Sequence, residues 1–195
     1  MEKFYVACDF GVRTSRIMLG ALHNQKLTLS ELRRFKTPVI SEKKSLQWKR
    51  PEIYRETLLA LSELGEQEVI LAGISCTSWG ADYMLFDPDD TLLTPVFHHG
   101  DPRVLEGVKA VSAKISSDTI YEETGVQSRP GNTLFQLAAE SSRRLKRGNR
   151  LLPFADGFNH LLGGDRCSEM SAASTTQLFN PATRNWSNRM VSDLG

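Results

Sequence analysis

Asp9 ends an apolar run, Phe4 to Cys8, and after Phe10 comes a short turn, Gly11-Val12-Arg13-Thr14-Ser15-Arg16. A second apolar run, Ile17 to Leu22, begins directly after Arg16. The pattern is strand, tight turn, strand. A carboxylate closing a buried strand is costly without a partner, and a hydrated cation is a common one. A turn of Gly, Thr and Ser offers backbone N–H groups and hydroxyls that can cradle phosphate oxygens. The plain alternative is a hairpin with Asp9 as a turn residue.

Other reactive side chains are set aside. His98 and His99 are adjacent, and a strand would point them to opposite faces, so a shared metal is not expected. His23 and His160 have no partners at metal-ligand spacing. Cys8, Cys76 and Cys167 are odd in number and unpatterned, which suits a reducing compartment and gives no zinc or disulfide framework. Lys43-Lys44 and Lys49-Arg50 lack the aromatic interleaving that single-strand nucleic-acid binding needs.

The chain of 195 residues is 40% hydrophobic and 24% charged, with a net charge of +1. That suits one well-packed soluble domain, with room for a small appendage, and excludes a strong field for nucleic acid or anionic membrane. No apolar stretch is long enough to span a bilayer. The N-terminus enters a strand within a few residues, so no signal peptide is expected and a cytoplasmic protein is.

The elements that must position the turn read as follows. Leu27 to Phe35 makes a third strand after the turn Asn24-Gln25-Lys26, completing an antiparallel meander. Thr37 to Lys49 reads as a polar loop anchored by Leu46 and Trp48. Pro51 opens a helix, with Ile53, Thr57, Ala60, Leu61 and Leu64 in phase and Gly65 at its C-terminal cap. Val69 to Ile74 reads as a buried central strand. Tyr83 to Phe86 and Leu92 to Phe97 pair around Asp87-Pro88-Asp89-Asp90. Helices are expected from Asp101-Pro102, over Ser117 to Thr124 closed by Gly125, and from Asn132 or Thr133 through Leu145. The basic run Arg143, Arg144, Lys146 and Arg147 reads as a solvated face that suits the helix dipole. Leu151 to Leu162 reads as a strand entry and a short helix ended by Gly163-Gly164. Met170 to Phe179 is open between strand and loop, and Ser187 to Leu194 is a last short helix. A meander followed by alternating helix and strand is an α/β layered fold with a mixed sheet.

Asp9-Phe10-Gly11 with Thr14-Ser15-Arg16 resembles the first phosphate loop of the actin-like ATPase (ribonuclease H-like) fold. Thr77-Ser78-Trp79-Gly80-Ala81-Asp82-Tyr83 resembles the sugar-facing loop of the FGGY carbohydrate kinases, and is most similar to their rhamnulokinase branch. Tyr121-x-x-Thr124-Gly125-Val126-Gln127, then Asn132-Thr133-Leu134-Phe135-Gln136-Leu137, is similar to that branch's middle segment. Ser174-Thr175-Thr176-Gln177-Leu178 with Asn180-Pro181 resembles a further one. The matches run in order over nearly the whole chain.

The resemblance implies an actin-like α/β domain of an enzyme that phosphorylates a ketose with ATP and Mg²⁺. Kinases of this family have two such domains, and the general base lies early in the second. Residues 1–195 look like the first domain only, so no catalytic base is expected here, and the missing C-terminal domain is the expected partner. Asp9 would hold Mg²⁺ through water. Gly11, Thr14 and Ser15 would meet the β- and γ-phosphates, and Arg16 would neutralise charge or form a salt bridge at the strand start. Arg13 replaces a small residue, and Ser15 stands where Gly is usual, so Arg13 adds a phosphate contact or blocks one. Trp79 would offer an apolar face to a deoxy-sugar, Gly80 close backbone approach, and Asp82 hydroxyl acceptors. Asp101 and Arg103 resemble an Asp-x-Arg element near the sugar, although Asp101 before Pro102 also reads as a helix N-cap. Asn132, Gln136 and Thr176 are weaker candidates. L-Rhamnulose is the expected substrate. The alternatives are L-fuculose, xylulose, or a non-catalytic sugar-binding or regulatory module.

Overall fold

The computed structural model describes residues 2–194. The elements run β1 (Lys3–Phe10), β2 (Thr14–His23), β3 (Lys26–Lys36), β4 (Val39–Glu42), β5 (Ser45–Trp48), α1 (Arg50–Glu66), β6 (Leu71–Ser78) and β7 (Tyr83–Phe86). Then come β8 (Leu92–Leu93), β9 (Val96–Phe97), α2 (Val104–Ser112), α3 (Ser117–Thr124), α4 (Thr133–Ala138) and α5 (Ser142–Arg147). The chain continues through β10 (Arg150–Pro153), α6 (Phe154–Leu161), α7 (Met170–Ser174), β11 (Phe179–Asn180), β12 (Asn185–Trp186) and α8 (Asn188–Leu194). The residues form two compact units. The first comprises the described residues up to Val39, Lys49–Trp79 and Ala155–Asp165. The second comprises Ile40–Trp48, Gly80–Phe154 and the described residues from Arg166 onward.

The first unit holds a mixed sheet of order β3-β2-β1-β6, begun by the expected antiparallel meander. β1 and β2 pair from Lys3↔Leu22 to Phe10↔Ser15, so the turn after Asp9 is closed on both sides by ladder bonds. Alternation places Val6, Cys8 and Phe10 inside, as period two requires. β6 runs parallel to β1, with Cys8 opposite Cys76, and a parallel neighbour needs a crossover, which α1 supplies. α1 buries Ile53, Thr57, Ala60 and Leu64.

Two sequence expectations fail here. The helix runs past Gly65 to Glu66, and the chain turns at Glu68, whose φ is 57°. β6 is an edge strand of this sheet, not a central one. It starts at Leu71, and Ile70 is 87% exposed. A continuous apolar run does not reveal which face is covered.

The second unit contains the sheets β4-β5-β9, β10-β7-β8 and β11-β12. One of its cores joins Val111, Ile115, Ile120, Leu134, Phe135, Leu178 and Met190. The expected loop 37–49 contains the strands β4 and β5. They turn at Lys43 and Lys44, with φ of 50° and 67°. Such a turn favours Asn-Gly, so Lys-Lys gave no hairpin signal. β7 pairs with β8 as expected, but Val96–Phe97 leaves to pair with β5. α3 ends at Gly125 as expected, with φ of 70°. The long helix expected through Leu145 is two, because Ser141 caps a new one by accepting from the Arg144 amide. Arg144 also departs from the solvated-face reading. Its Nη2 donates inward to the carbonyls of Leu93 and Pro95, and its side chain is 13% exposed.

Candidate functional site

In the first unit the β1–β2 turn is tight. A Cβ at Gly11 would lie 2.5 Å from the Thr14 carbonyl oxygen. The turn is pinned from outside the motif by Thr37, which is 3% exposed. Its amide donates to the Arg13 carbonyl, and its hydroxyl donates to the Gly11 carbonyl. The Thr37 hydroxyl proton is therefore spent, so Ser15 Oγ is the donor in its 2.8 Å bond to Thr37 Oγ1. Ser15 has no exposed surface, so its hydroxyl braces the turn and is not presented to a phosphate. Arg13 and Thr14 are exposed. They line a concavity of about 840 Å³ with Val12, Lys36, Thr37, Pro38 and Val39. Its lining carries two cations and no acid, which fits an anion.

Asp9 lies at the strand end with its carboxylate 38% exposed. Arg16, opposite it in the ladder, reaches Asp9 Oδ2 through Nε at 3.1 Å and through Nη2. Both contacts fall on Oδ2, so Oδ1 carries neither. Arg16 thus takes the salt-bridge alternative. Among the described residues no three His, Cys, Asp or Glu side chains cluster as a metal site. A Mg²⁺ held largely by water and phosphate needs only one such carboxylate. Trp79 follows β6 in this unit and is half-buried.

In the second unit Asp82 is a buried hub with no exposed side-chain surface. Trp48 Nε1 donates to Oδ2 at 2.6 Å, His99 Nδ1 lies 3.0 Å from the same oxygen, and Gln136 Nε2 donates to Oδ1 at 2.8 Å. A carboxylate accepts only, so His99 carries a proton on Nδ1 and donates it to Asp82. Ala81, one residue earlier, has φ of 85°, a strained value for a residue with a Cβ. Its carbonyl is held by Thr133 Oγ1 at 2.7 Å and by Gln136 Nε2 at 3.1 Å. Gly80 is required by a close approach within the unit, since a Cβ there would lie 2.8 Å from Thr175 Oγ1.

His98 and His99 do not point apart. Their rings stack 4.1 Å between centroids, and His98 stacks on Trp48 at 4.3 Å. Burial and the neighbouring His99 hold the His98 pKa below its ordinary value.

Asp101 and Arg103 diverge. Asp101 is not the expected N-cap: α2 begins at Val104 with Arg103 at the cap, and Asp101 Oδ1 accepts from the Arg103 amide in the turn before it, while Oδ2 accepts from Ser45 Oγ and the Leu46 amide. Arg103 lies over the Phe97 ring, 3.9 Å from its centroid, and donates to the Gln136 carbonyl at 2.7 Å. Gln136 in turn donates to Asp82, which links Arg103 to that hub. Asn132 stands at the α4 N-cap, but its side chain donates to the Gln127 carbonyl instead. Thr176 is buried, its hydroxyl donating to the Ala173 carbonyl. Sequence patterns gave no sign of Thr37, Lys36, Trp48 or His99 as site residues. Each joins its cluster through contacts distant in sequence.

The fold is that of the sugar kinases. Gluconate kinase from Lactobacillus acidophilus superposes with a TM-score of 0.84 at 18% identity, covering 100% of this chain and 40% of that one. Glycerol kinase from Plasmodium falciparum, solved with ADP, gives 0.76 at 16% identity, covering 97% and 40%. Residues 4–195 match the N-terminal domain of the FGGY family of carbohydrate kinases, and the chain belongs to that family. Similar curated proteins are rhamnulokinases. That of Oceanobacillus iheyensis is 30% identical over 198 residues, 100% of this chain and 42% of the relative. That of Pectobacterium carotovorum subsp. carotovorum is 34% identical over 199 residues, 99% and 40%. The chain spans about two-fifths of these relatives' length. No described helix is long and apolar enough to cross a membrane.

Proposed function

We propose that this chain is the nucleotide-phosphate and sugar-recognising part of a kinase that phosphorylates L-rhamnulose at its primary hydroxyl, completed by a second kinase domain. The observation that carries it is the cationic concavity at the β1–β2 turn, where Arg13 and Lys36 face an acid-free lining. Phosphoryl transfer needs positioned phosphates and neutralised charge more than covalent help from the protein. In this reading the Gly11 backbone and the Thr14 hydroxyl meet phosphate oxygens, while buried Ser15 braces the turn from behind. Arg13 adds a contact, and Arg16 orients Asp9, which holds the metal through water. Bound ATP and Mg²⁺ supply the transferable phosphoryl group and its charge shielding.

The sugar is assigned to the Asp82 cluster. Asp82 would act through what it holds. The His98 and His99 rings would meet hydroxyls and the methyl group, with buried Trp48 stacked behind His98. Gly80 and Asp101 would shape the backbone, and Arg103 would position Gln136. The rhamnulose assignment is supported by relatives of 28–34% identity whose names are all rhamnulokinase.

Calorimetric titration of the chain with L-rhamnulose, L-fuculose and D-xylulose tests the substrate. The expected order places L-rhamnulose tightest, with His99→Ala removing the preference. Tighter binding of another ketose overturns the rhamnulose assignment. Absence of saturable binding by any of the three overturns the sugar site.

A further inference from the structure

A second cationic cavity lies within the second unit, and of its lining only Arg103, which positions Gln136, enters the proposed kinase reading. It encloses about 450 Å³ and is lined by Arg103, Arg143, Arg144 and Arg147, with Glu140 the only acid among its lining residues. Its volume lies in the range of small-molecule sites, ~300–1,000 Å³.

The cavity is built in two layers. Inside, the guanidinium groups of Arg103 and Arg144 flank the Phe97 ring, 3.9 and 5.3 Å from its centroid. Glu140 lies against both, 3.7 Å from Arg103 Nη2 and 3.2 Å from Arg144 Nε, with its side chain 2% exposed. Tyr83 adds no charge. Burial raises its pKa, so its hydroxyl stays protonated and donates to Glu140 Oε1 at 2.7 Å. Two cations therefore face one anion in a poorly solvated place, and Nε and Nη2 of Arg103 are buried without a hydrogen bond. Burying an excess cation is unfavourable unless an anion answers it. At the rim Arg143 and Arg147 are exposed, so their N–H groups are available. The inner pair supplies a field that low-dielectric walls concentrate, and the outer pair supplies planar donors suited to a phosphate.

We propose that this cavity binds the phosphate group of a small phosphate monoester. The phosphate sits on Arg143 and Arg147 in the field of Arg103 and Arg144. The organic part lies against Phe97 and Pro95. The cavity is too small for a polynucleotide, and the chain's net charge of +1 gives no general pull on one.

The test is isothermal titration with inorganic phosphate and with a hexose 6-phosphate, at fixed ionic strength. The protein is the full chain carrying Arg13→Ala and Lys36→Ala, which silences the turn at Gly11. Saturable binding is expected, tighter for the monoester. Arg143→Ala and Arg147→Ala should each weaken it about tenfold, the loss of a charge-assisted hydrogen bond. Both side chains are exposed, so an unchanged melting temperature should accompany that loss. The proposal is overturned if binding disappears in the Arg13→Ala, Lys36→Ala background while the unaltered chain binds, since the phosphate then belongs to the turn. It is also overturned if affinity survives the double rim substitution, or if equal ionic strength of sodium chloride displaces the ligand as well as phosphate does. Failure here leaves the kinase reading standing, because that reading rests on the turn and on Asp82.

Discussion

The Thr37 side-chain hydroxyl donates to the Gly11 carbonyl, a contact between residues 26 apart that closes the turn after Asp9 from the far end of β3. Ser15 then donates to the same Thr37 oxygen. Thr37→Val keeps the shape and removes both bonds. Two buried polar groups would be left unsatisfied, so a loss of ~1–3 kcal/mol is expected in urea denaturation. Nucleotide affinity should fall with it as the turn loosens. A stability change below ~0.5 kcal/mol would show that the hydroxyl does not hold the turn.

Two glycines on helices should respond in opposite directions. A Cβ at Gly107 would lie 1.8 Å from the Phe135 carbonyl oxygen, so Gly107→Ala must push α2 away from α4. Overpacking of that kind costs ~1–3 kcal/mol or more. At Gly65, inside α1, an added methyl would meet nothing within 4 Å. Gly65→Ala should stabilise by ~0.5–1 kcal/mol through helix propensity. Equal melting temperatures for the two variants would contradict the packing described for both helices.

Asp82→Asn preserves volume but places an amide where three donors converge. Whichever way the amide turns, either Gln136 Nε2 or the Trp48 and His99 pair meets a donor. A loss of about 2 kcal/mol is expected. The Trp48 indole N–H proton should move upfield in the NMR spectrum as its charged acceptor disappears. An unmoved indole signal would mean that Trp48 does not depend on Asp82.

What could be read from the sequence was what local pattern encodes. The meander, the crossover helix and the Gly125 stop each follow from period, proline or glycine position within a few residues. Thr37, Trp48 and Glu140 were invisible as site residues for the opposite reason. A lone Thr before Pro38 reads as loop, and a Trp reads as an anchor, until folding brings Gly11 or Asp82 to it. Arg144 misled because a basic run at a helix end has a sufficient local explanation. The buried Glu140 carboxylate and the carbonyls of Leu93 and Pro95 show that one member of the run turns inward. Lys43-Lys44 hid a hairpin because the turn lacks the residues that usually mark one.

His98 gives a prediction in pH. Its pKa is held below the ordinary 6.5 by burial and by His99, with Asp82 and Asp101 opposing. Its Nδ1 accepts from the Gly100 amide at 2.8 Å, a bond that only the unprotonated nitrogen makes. The unfolded chain therefore binds the extra proton first as pH falls. Stability contributed by neutral His98 is present above about 6.5 and is lost as pH falls through the lower folded value. Urea midpoints from pH 8 to 5 should decline below about 6.5, and His98→Gln should flatten that decline. A decline confined to pH below 4.5, where Glu31, Glu56, Glu123 and Glu169 titrate with lowered pKa, would assign it to carboxylates instead.

Asp9 separates a strut from a ligand. Its pairing with Arg16 is solvent-accessible on both sides, 38% and 45% exposed, so screening leaves it little weight in stability. Asp9→Asn should therefore change the unfolding free energy by less than ~0.5 kcal/mol. If Asp9 holds hydrated Mg²⁺ beside the phosphates, the same substitution should remove the Mg²⁺ dependence of ATP binding while metal-free affinity changes little. Titrations of ATP with and without Mg²⁺, on the unaltered chain and the variant, give the four affinities needed. A variant that loses stability but keeps the Mg²⁺ dependence would make Asp9 a ladder residue whose partner is Arg16 alone. The opposite result would make Arg16 the group that aims the carboxylate. Arg16→Ala should then weaken Mg²⁺-ATP binding less than Asp9→Asn does, because the metal's own charge can still draw the carboxylate in.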